Sequence, residues 1–179
     1  MVKPTRALLT IDLAEAESEP KAREASVNRA GRLLAIDLGA KRVGVAVSDE
    51  LRITIKPLAA IERRSWKDLL QKIVAIVETF DAQALVIGLP LRMDGVEGEA
   101  AKDARAVAHK FARSLGIPVV LQDERLTSVE AASELRSAAR SEGEIKDEID
   151  SAAAVLILRD FIVGWYGTAR GSERDQDSR

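Results

Sequence analysis

The stretch that decides the fold is LLAIDLGAKRVGVAVSDE, residues 33–50, in which two apolar runs flank a short polar connection. Residues 33–38 and 43–48 have the composition of β-strands, and the intervening GAKR contains the glycine that a tight hairpin favours. The first run carries a carboxylate, Asp37, among apolar neighbours. Because burying an isolated carboxylate costs several kcal/mol, the sequence predicts that Asp37 has a partner.

The remaining pattern predicts an α/β domain with a mixed sheet. A third strand-like run, residues 53–61, contains Pro57 and suits a sheet edge, so three antiparallel strands open the domain. Strands and helices then alternate, which implies parallel crossovers. The predicted elements are a helix at 66–80, a strand at 84–90, a helix at 100–115, a strand at 117–124, and helices at 128–141 and 147–165.

The length of 179 residues and a hydrophobic content of 46% predict one domain with tails. Residues 1–30 show no sustained period and residues 167–179 are polar, so we expect disordered extensions around a domain at 31–166. No run reaches the roughly 18 apolar residues of a membrane helix, and there is no signal-peptide core. The expected protein is cytoplasmic and has no membrane partner.

Composition also limits the chemistry. The chain has no cysteine and one histidine, which excludes thiolate sites and makes a histidine-rich zinc site implausible. The formal net charge of −2 gives no global sign of nucleic-acid binding, although a local basic patch is compatible with it. Any metal must therefore be held by oxygen ligands.

Acidic residues stand at three places in the predicted domain. Asp37 is the first, and the second is either Asp123 or Glu124, because adjacent residues of a strand point to opposite faces. The third is Asp150, which shares the apolar face of the last predicted helix at positions 153, 154, 157 and 161. Singly, each acid could be a turn former, a loop residue or a partner of a helix dipole. Together they favour a hard divalent cation, Mg²⁺ or Mn²⁺.

Four ordered motifs resemble the YqgF family, also called RuvX, of Holliday-junction-resolvase-like proteins in the RNase H-like superfamily. The motifs are IDLGAKRVGVAVSD at 36–49, VIGLPLRMDG at 86–95, LQDERLTSVEA at 121–131 and DEIDSAAAVLIL at 147–158. The N-terminal extension lies outside this pattern. The resemblance implies an RNase H-like fold with a five-stranded mixed sheet, three strands antiparallel and then two parallel, flanked by helices.

The same resemblance implies an activity and its residues. Family members are metal-dependent nucleases associated with maturing the 5′ end of pre-16S ribosomal RNA, and some act on branched DNA such as Holliday junctions. By motif, Asp37, Glu124 and Asp150 correspond to the catalytic, metal-binding acids, and this choice of Glu124 over Asp123 comes from the family. By analogy with the superfamily, Asp37 bridges two cations, which would be its missing partner.

Several cations could meet a phosphate backbone. Lys41 and Arg42 follow Asp37 in the hairpin, Arg125 follows Glu124, and Arg92 lies in the loop after a central strand. On the helix at 100–115, basic residues share one face, namely Lys102, Arg105, His109 and Arg113. Such a stripe can track a nucleic acid. The alternative is that these residues are ordinary surface charges, since solvated turns and the exposed faces of surface helices carry the same residue types.

The sequence leaves competing functions open. One is a non-catalytic nucleic-acid or ribosome-binding module, against which the retention of three acids speaks. Another is an ATP-binding protein of the actin or sugar-kinase type, because IDLGAKRVGVAV resembles the phosphate-binding hairpin of those proteins. That fold needs a second domain, for which this chain has no room. The expected partner is nucleic acid, pre-16S rRNA or branched DNA, and the expected state is a monomer or homodimer.

Overall fold

A computed structural model describes residues 9–10, 30–92, 94, 96–124 and 151–173, with side chains described within 30–164. Six strands form one sheet, namely β1 Leu9–Thr10, β2 Leu33–Leu38, β3 Arg42–Ser48, β4 Ile55–Glu62, β5 Ala84–Leu89 and β6 Val119–Asp123. Three helices are described, namely α1 Trp66–Phe80, α2 Glu99–Ser114 and α3 Ala152–Glu173. Among the described residues, no helix is long and apolar enough to cross a membrane.

The strand order is β1-β6-β5-β2-β3-β4. Strands β2, β3 and β4 pair in antiparallel hairpins, β5 pairs in parallel with β2, and β6 in parallel with β5. This arrangement confirms the predicted mixed sheet of three antiparallel and two parallel strands. The sequence did not predict β1, which pairs antiparallel with β6 and lies in the N-terminal extension.

The helices begin and end where local signals place them, with one exception. Helix α1 has the predicted bounds, and the Oγ of Ser65 accepts a hydrogen bond of 3.2 Å from the backbone N–H of Asp68 at its start. The last helix begins at Ala152, later than the predicted 147, and extends to Glu173 rather than 165. The helix predicted at 128–141 lies outside the described residues.

Alternation along the strands divides the core into two layers. On one face of the sheet, Leu34 and Ile36 of β2 pack with Ile87 of β5 in a cluster that includes α1 and α2 residues. On the opposite face, Leu33 and Ala35 belong to a cluster with α3 residues. A side chain's position along its strand therefore determines which helices it meets.

A β-bulge interrupts the pairing of β3 with β4 beside Asp37. Val43 pairs with Ile61 but Val45 pairs with Leu58, so two β4 residues stand opposite the single Gly44. Gly44 is in turn the partner of Asp37 across the β2–β3 hairpin. Bulges concentrate next to active sites, where they bend a strand and re-aim its side chains. The irregular part of the sheet thus adjoins Asp37, the carboxylate that the sequence singles out.

Candidate active site

Asp37 lies on the α3 face of the sheet, near the end of β2. Side chains alternate along the strand, so Asp37 points to the same face as Leu33 and Ala35, which pack with α3. Its side chain is half-buried. Since Ile36 pairs with Ile87 in the parallel β2–β5 ladder, the next residue along each strand places Gly88 beside Asp37. The strand next to Asp37 therefore presents no side chain at this level.

Glu124 directly follows β6 and reaches over that glycine. A Cβ added to Gly88 would lie 2.1 Å from Oε1 of Glu124 and 2.6 Å from Cδ1 of Ile157 in α3. No real side chain fits at such distances, so the carboxylate of Glu124 occupies the space that the missing side chain leaves. The β2 and β6 strands flank β5 on either side, about 10 Å apart. Gly88 lets carboxylates from both strands face a common space.

The environment of Glu124 raises its pKa from 4.5 to about 7. Burial is the largest cause, because it disfavours the charged form. The negative charges of Asp37 and then Asp123 add to the shift by repulsion. Asp37 thus acts on Glu124 more strongly than the adjacent Asp123 does.

Asp123 points away from that site. By strand alternation it points to the same face as Val119 and Leu121, which belong to the cluster that includes α1 and α2 residues. Val120, between them, belongs to the cluster on the α3 face. Glu124 therefore lies on the same face as Asp37, and Asp123 lies on the other. Alternation alone left the choice within this pair open, and the register of β6 supports the choice of Glu124.

Two predicted site residues, Asp150 and Arg125, lie outside the described residues. Within residues 30–124 and 151–164, no group of three or more histidine or acidic side chains has an arrangement that could hold a metal ion. Asp37 and Glu124 supply two carboxylates on one face, and the residue before Ser151 is the third expected ligand. The metal site with its three acidic ligands thus stays a prediction.

The two described carboxylates fit a hard cation. Their oxygens are the ligand type that Mg²⁺ and Mn²⁺ prefer. Their mutual repulsion and the desolvation of Glu124 are the penalties that a bound cation offsets.

The hairpin after Asp37 carries the first predicted phosphate-binding cations. Lys41 is exposed, and Arg42 is half-buried at the start of β3. Arg63 supports this turn, since its backbone N–H donates to the carbonyl of Lys41 at 2.9 Å and its Nη1 donates to the carbonyl of Gly39 at 3.4 Å. Nη2 of the same arginine pairs with Asp103 of α2 at 2.7 Å. Arg63 therefore ties the hairpin to α2.

The basic residues of α2 are partly engaged in ion pairs. Lys102 pairs with Glu99 at 2.9 Å, and Arg105 pairs with Glu97 through two guanidinium nitrogens. Glu97 belongs to the loop after β5, so Arg105 ties that loop to the helix. In the same loop, Nε of Arg92 lies 3.8 Å from a carboxylate oxygen of Asp94. Exposed Arg113 completes the predicted stripe.

Sequence reasoning missed three residues that build this region. No spacing rule links Arg63 to Gly39 or Glu97 to Arg105. Ser151 was not a predicted site residue, but its side chain is fully buried and hydrogen-bonded to the sheet. These contacts join segments that are distant in sequence, so local patterns carry no signal for them.

The fold is that of the RNase H-like resolvases. The chain resembles the RuvC of Thermus thermophilus, solved in complex with a Holliday junction substrate, with a TM-score of 0.50 over 74% of this chain and 94% of that chain. The sequence identity is 12%, so this similarity describes the fold alone.

Within that class, the chain belongs to the RuvX family, whose model, described as Holliday junction resolvase, matches residues 31–163. Relatives named as candidate pre-16S rRNA nucleases occur in Anaeromyxobacter sp. (strain Fw109-5), with 41% identity over 74% of this chain and 97% of the relative. Another, from Myxococcus xanthus, is 38% identical over 80% of this chain and 93% of the relative. The family resemblance inferred from the four motifs is confirmed, and the relatives support a nuclease.

Proposed function

We propose that this protein is a metal-dependent endonuclease that hydrolyses phosphodiester bonds in maturing the 5′ end of pre-16S rRNA. The observation that carries the proposal is that the carboxylates of Asp37 and Glu124 lie on the same face of the sheet, the face covered by α3, with the carboxylate of Glu124 over Gly88. The names of the relatives support the RNA substrate. The description of the matching family supports a second activity on branched DNA.

In this proposal, Asp37, Glu124 and Asp150 hold Mg²⁺ or Mn²⁺. When bound, divalent cations activate a water for attack on phosphorus and stabilise the leaving oxygen. The chain's part is to hold the carboxylates in a partly dehydrated site, where Asp37 comes from β2 and Glu124 lies with Ile157 over Gly88. Rigid placement of the carboxylates keeps the cost of reorganisation low during the reaction.

The cationic residues bind the substrate backbone. Lys41 and Arg42 lie in the hairpin that follows Asp37, and Arg125 follows Glu124 in sequence. Arg92, Lys102, Arg105 and Arg113 extend the proposed surface along the loop after β5 and along α2. Because Lys102 and Arg105 already pair with glutamates, binding a phosphate there requires exchange of one anionic partner for another.

The test is cleavage of a pre-16S 5′-leader RNA and of a synthetic four-way junction, with Mg²⁺ or Mn²⁺ and with a chelated control. Asp37→Asn, Glu124→Gln and Asp150→Asn should each abolish cleavage while the fold is kept, because the amides retain shape but lose the charge that holds a cation. Asp123→Asn is the matched control and should cleave normally, since this side chain faces α1 and α2.

Two results would overturn the proposal. Cleavage by Asp37→Asn at a rate near that of the unaltered protein would exclude a carboxylate-held metal site at this position. Nucleic-acid binding without cleavage under all metal conditions would instead identify a binding module. If Asp123→Asn were inactive and Glu124→Gln active, the site would stand but the choice within the pair would be wrong.

A further inference from the structure

Ser151 uses its side chain in an unusual way for a residue at the start of a helix. Its backbone carbonyl accepts a hydrogen bond of 3.2 Å from Val155, which places it at the N-terminal cap of α3. A serine at this position commonly accepts hydrogen bonds from the first N–H groups of its own helix. Here the hydroxyl accepts from the N–H of Val45 at 3.0 Å and donates to the carbonyl of Leu58 at 2.7 Å.

Both partners of the hydroxyl flank the β-bulge. Val45 and Leu58 form the first regular pair after the two β4 residues that stand opposite Gly44. The Ser151 hydroxyl donates its one hydrogen bond to a carbonyl of β4, and its oxygen accepts a hydrogen bond from a backbone N–H of β3. The side chain is fully buried, so water does not compete for either bond. Ser151 therefore joins the start of α3 to both strands where their ladder is irregular.

The bulge adjoins Asp37. Gly44, opposite the two bulged residues, is the β2–β3 partner of Asp37, and Val45 pairs with Ile36. The hydroxyl of Ser151 thus anchors α3 one residue along the ladder from the first predicted metal ligand. The contacts that fix Ser151 therefore also hold the part of the β2–β3–β4 hairpin sheet that adjoins Asp37.

We propose that Ser151 is a positioning residue for the acidic site, whose hydroxyl locks the start of α3 into the β3–β4 bulge and so holds the strands beside Asp37 in place. This inference rests on the proposed function, in which Asp37 holds a cation. Residues that orient metal ligands from outside the coordination shell change metal affinity by about ten- to a hundredfold when substituted. Ser151 is expected to have an effect of that size.

The sheet offers a matched control in Ser48. Its Oγ accepts from the N–H of Leu33 at 2.9 Å and donates to the carbonyl of Asp49 at 2.9 Å, and the residue is 2% exposed. Ser48 thus bridges two backbone groups as Ser151 does. It lies opposite Leu33, four residues along β2 from Asp37 or about 13 Å. Loss of this hydroxyl removes comparable hydrogen bonds at the far end of the strand.

The experiment measures Mn²⁺ binding to the full chain by titration calorimetry, without nucleic acid, for the unaltered protein, Ser151→Ala and Ser48→Ala. Both variants should melt at a lower temperature, because each removes the side-chain partner of two backbone groups. Only Ser151→Ala should bind Mn²⁺ about ten- to a hundredfold more weakly, and Ser48→Ala should bind it as the unaltered protein does.

A second pair of variants covers the case in which Ser151→Ala does not fold. Ser151→Thr and Ser151→Val add the same bulk, but only threonine keeps the hydroxyl, so the threonine variant should bind Mn²⁺ more tightly by about tenfold. Equal Mn²⁺ affinity within either comparison would overturn the inference while leaving the proposed function standing. An unaltered protein that binds no Mn²⁺ would overturn the proposed cation site, and this inference with it.

Discussion

Glu124 makes the stability of the cation-free protein depend on pH. Its folded-state pKa of about 7 exceeds the ordinary value of 4.5, so the folded chain keeps a proton that the unfolded chain releases. The resulting stabilisation is fully present below pH 4.5 and is lost as pH rises through about 7. A shift of this size corresponds to a loss of about 1–3 kcal/mol.

We therefore expect the unaltered protein, in chelator, to lose more unfolding free energy between about pH 5.5 and about pH 8 than Glu124→Gln does. The glutamine does not titrate, so the difference between the two proteins isolates this carboxyl group from all others. Urea unfolding at the two pH values measures it. An identical loss in both proteins would show that Glu124 titrates at its ordinary pKa.

Gly88 creates the space that Glu124 fills. Gly88→Ala would place a methyl group 2.1 Å from Oε1 of Glu124 and 2.6 Å from Cδ1 of Ile157, so the carboxylate must move. We expect a stability loss of about 1–3 kcal/mol from crowding and a weakened response of the melting temperature to Mn²⁺. Gly98→Ala is the control, because a Cβ there meets nothing within 4 Å.

A Gly88→Ala protein whose melting temperature rises with Mn²⁺ as much as that of the unaltered protein would contradict this account of the glycine. The sequence alone could not identify the group that approaches Gly88. Glu124 is distant in sequence, and its position over Gly88 depends on the parallel register of β5 and β6.

At the scale of elements, Arg63 holds the β2–β3 turn against α2. Arg63→Ala would remove the bonds to Gly39 and Asp103 but keep the backbone bond to Lys41. We expect faster amide exchange in residues 39–42 and a few-fold weaker affinity for RNA. The unfolding free energy should fall by about 1 kcal/mol or less, since the Arg63–Asp103 ion pair is partly exposed.

The neighbouring Arg64→Ala supplies the comparison, because Arg64 pairs with Glu62 where both side chains are largely exposed. Its amide exchange in the turn and its RNA affinity should match those of the unaltered protein. Equal effects of the two substitutions would indicate that Arg63 acts only through its charge.

Elements with strong local signals were predicted well. Helix α1 has a serine cap, an apolar stripe and no internal breaker, and its bounds agree with the prediction. The start of α3 was placed too early, because the run before Ala152 has helical composition. The tertiary contacts of Ser151, which hold the first turn against β3 and β4, carry no periodic signal. Local pattern thus located the helix but not the residue at which it joins the sheet.

At the scale of the whole molecule, both described core clusters are built from residues within 33–162. Strand β1 adds only two residue pairs at the β6 edge. A chain shortened to residues 30–173 should therefore lose no more than about 1–3 kcal/mol of unfolding free energy, measured by calorimetry against the full chain. A collapse of the melting temperature would show that the extension packs on the domain.

The general architecture followed from the sequence because β-rich runs, helical periods and short connections were mutually consistent. Strand β1 escaped notice for a physical reason. Two residues have no periodicity, and their strand conformation is provided by the exposed edge of β6. The expected disorder of the remaining extension lies outside the described residues and stays a prediction.

The pairing of β1 with β6 also determines when β1 can join the sheet during synthesis on the ribosome. Thr10 pairs with Val120, 110 positions later, whereas β2, β3 and β4 are adjacent in the chain and can pair soon after they emerge. At typical elongation rates, about 5 to 20 seconds separate the appearance of the two partners. Strand β1 therefore leaves the exit tunnel before the other described strands and is among the last of them to join the sheet. Until then, this segment of the nascent chain is open to chaperones and proteases.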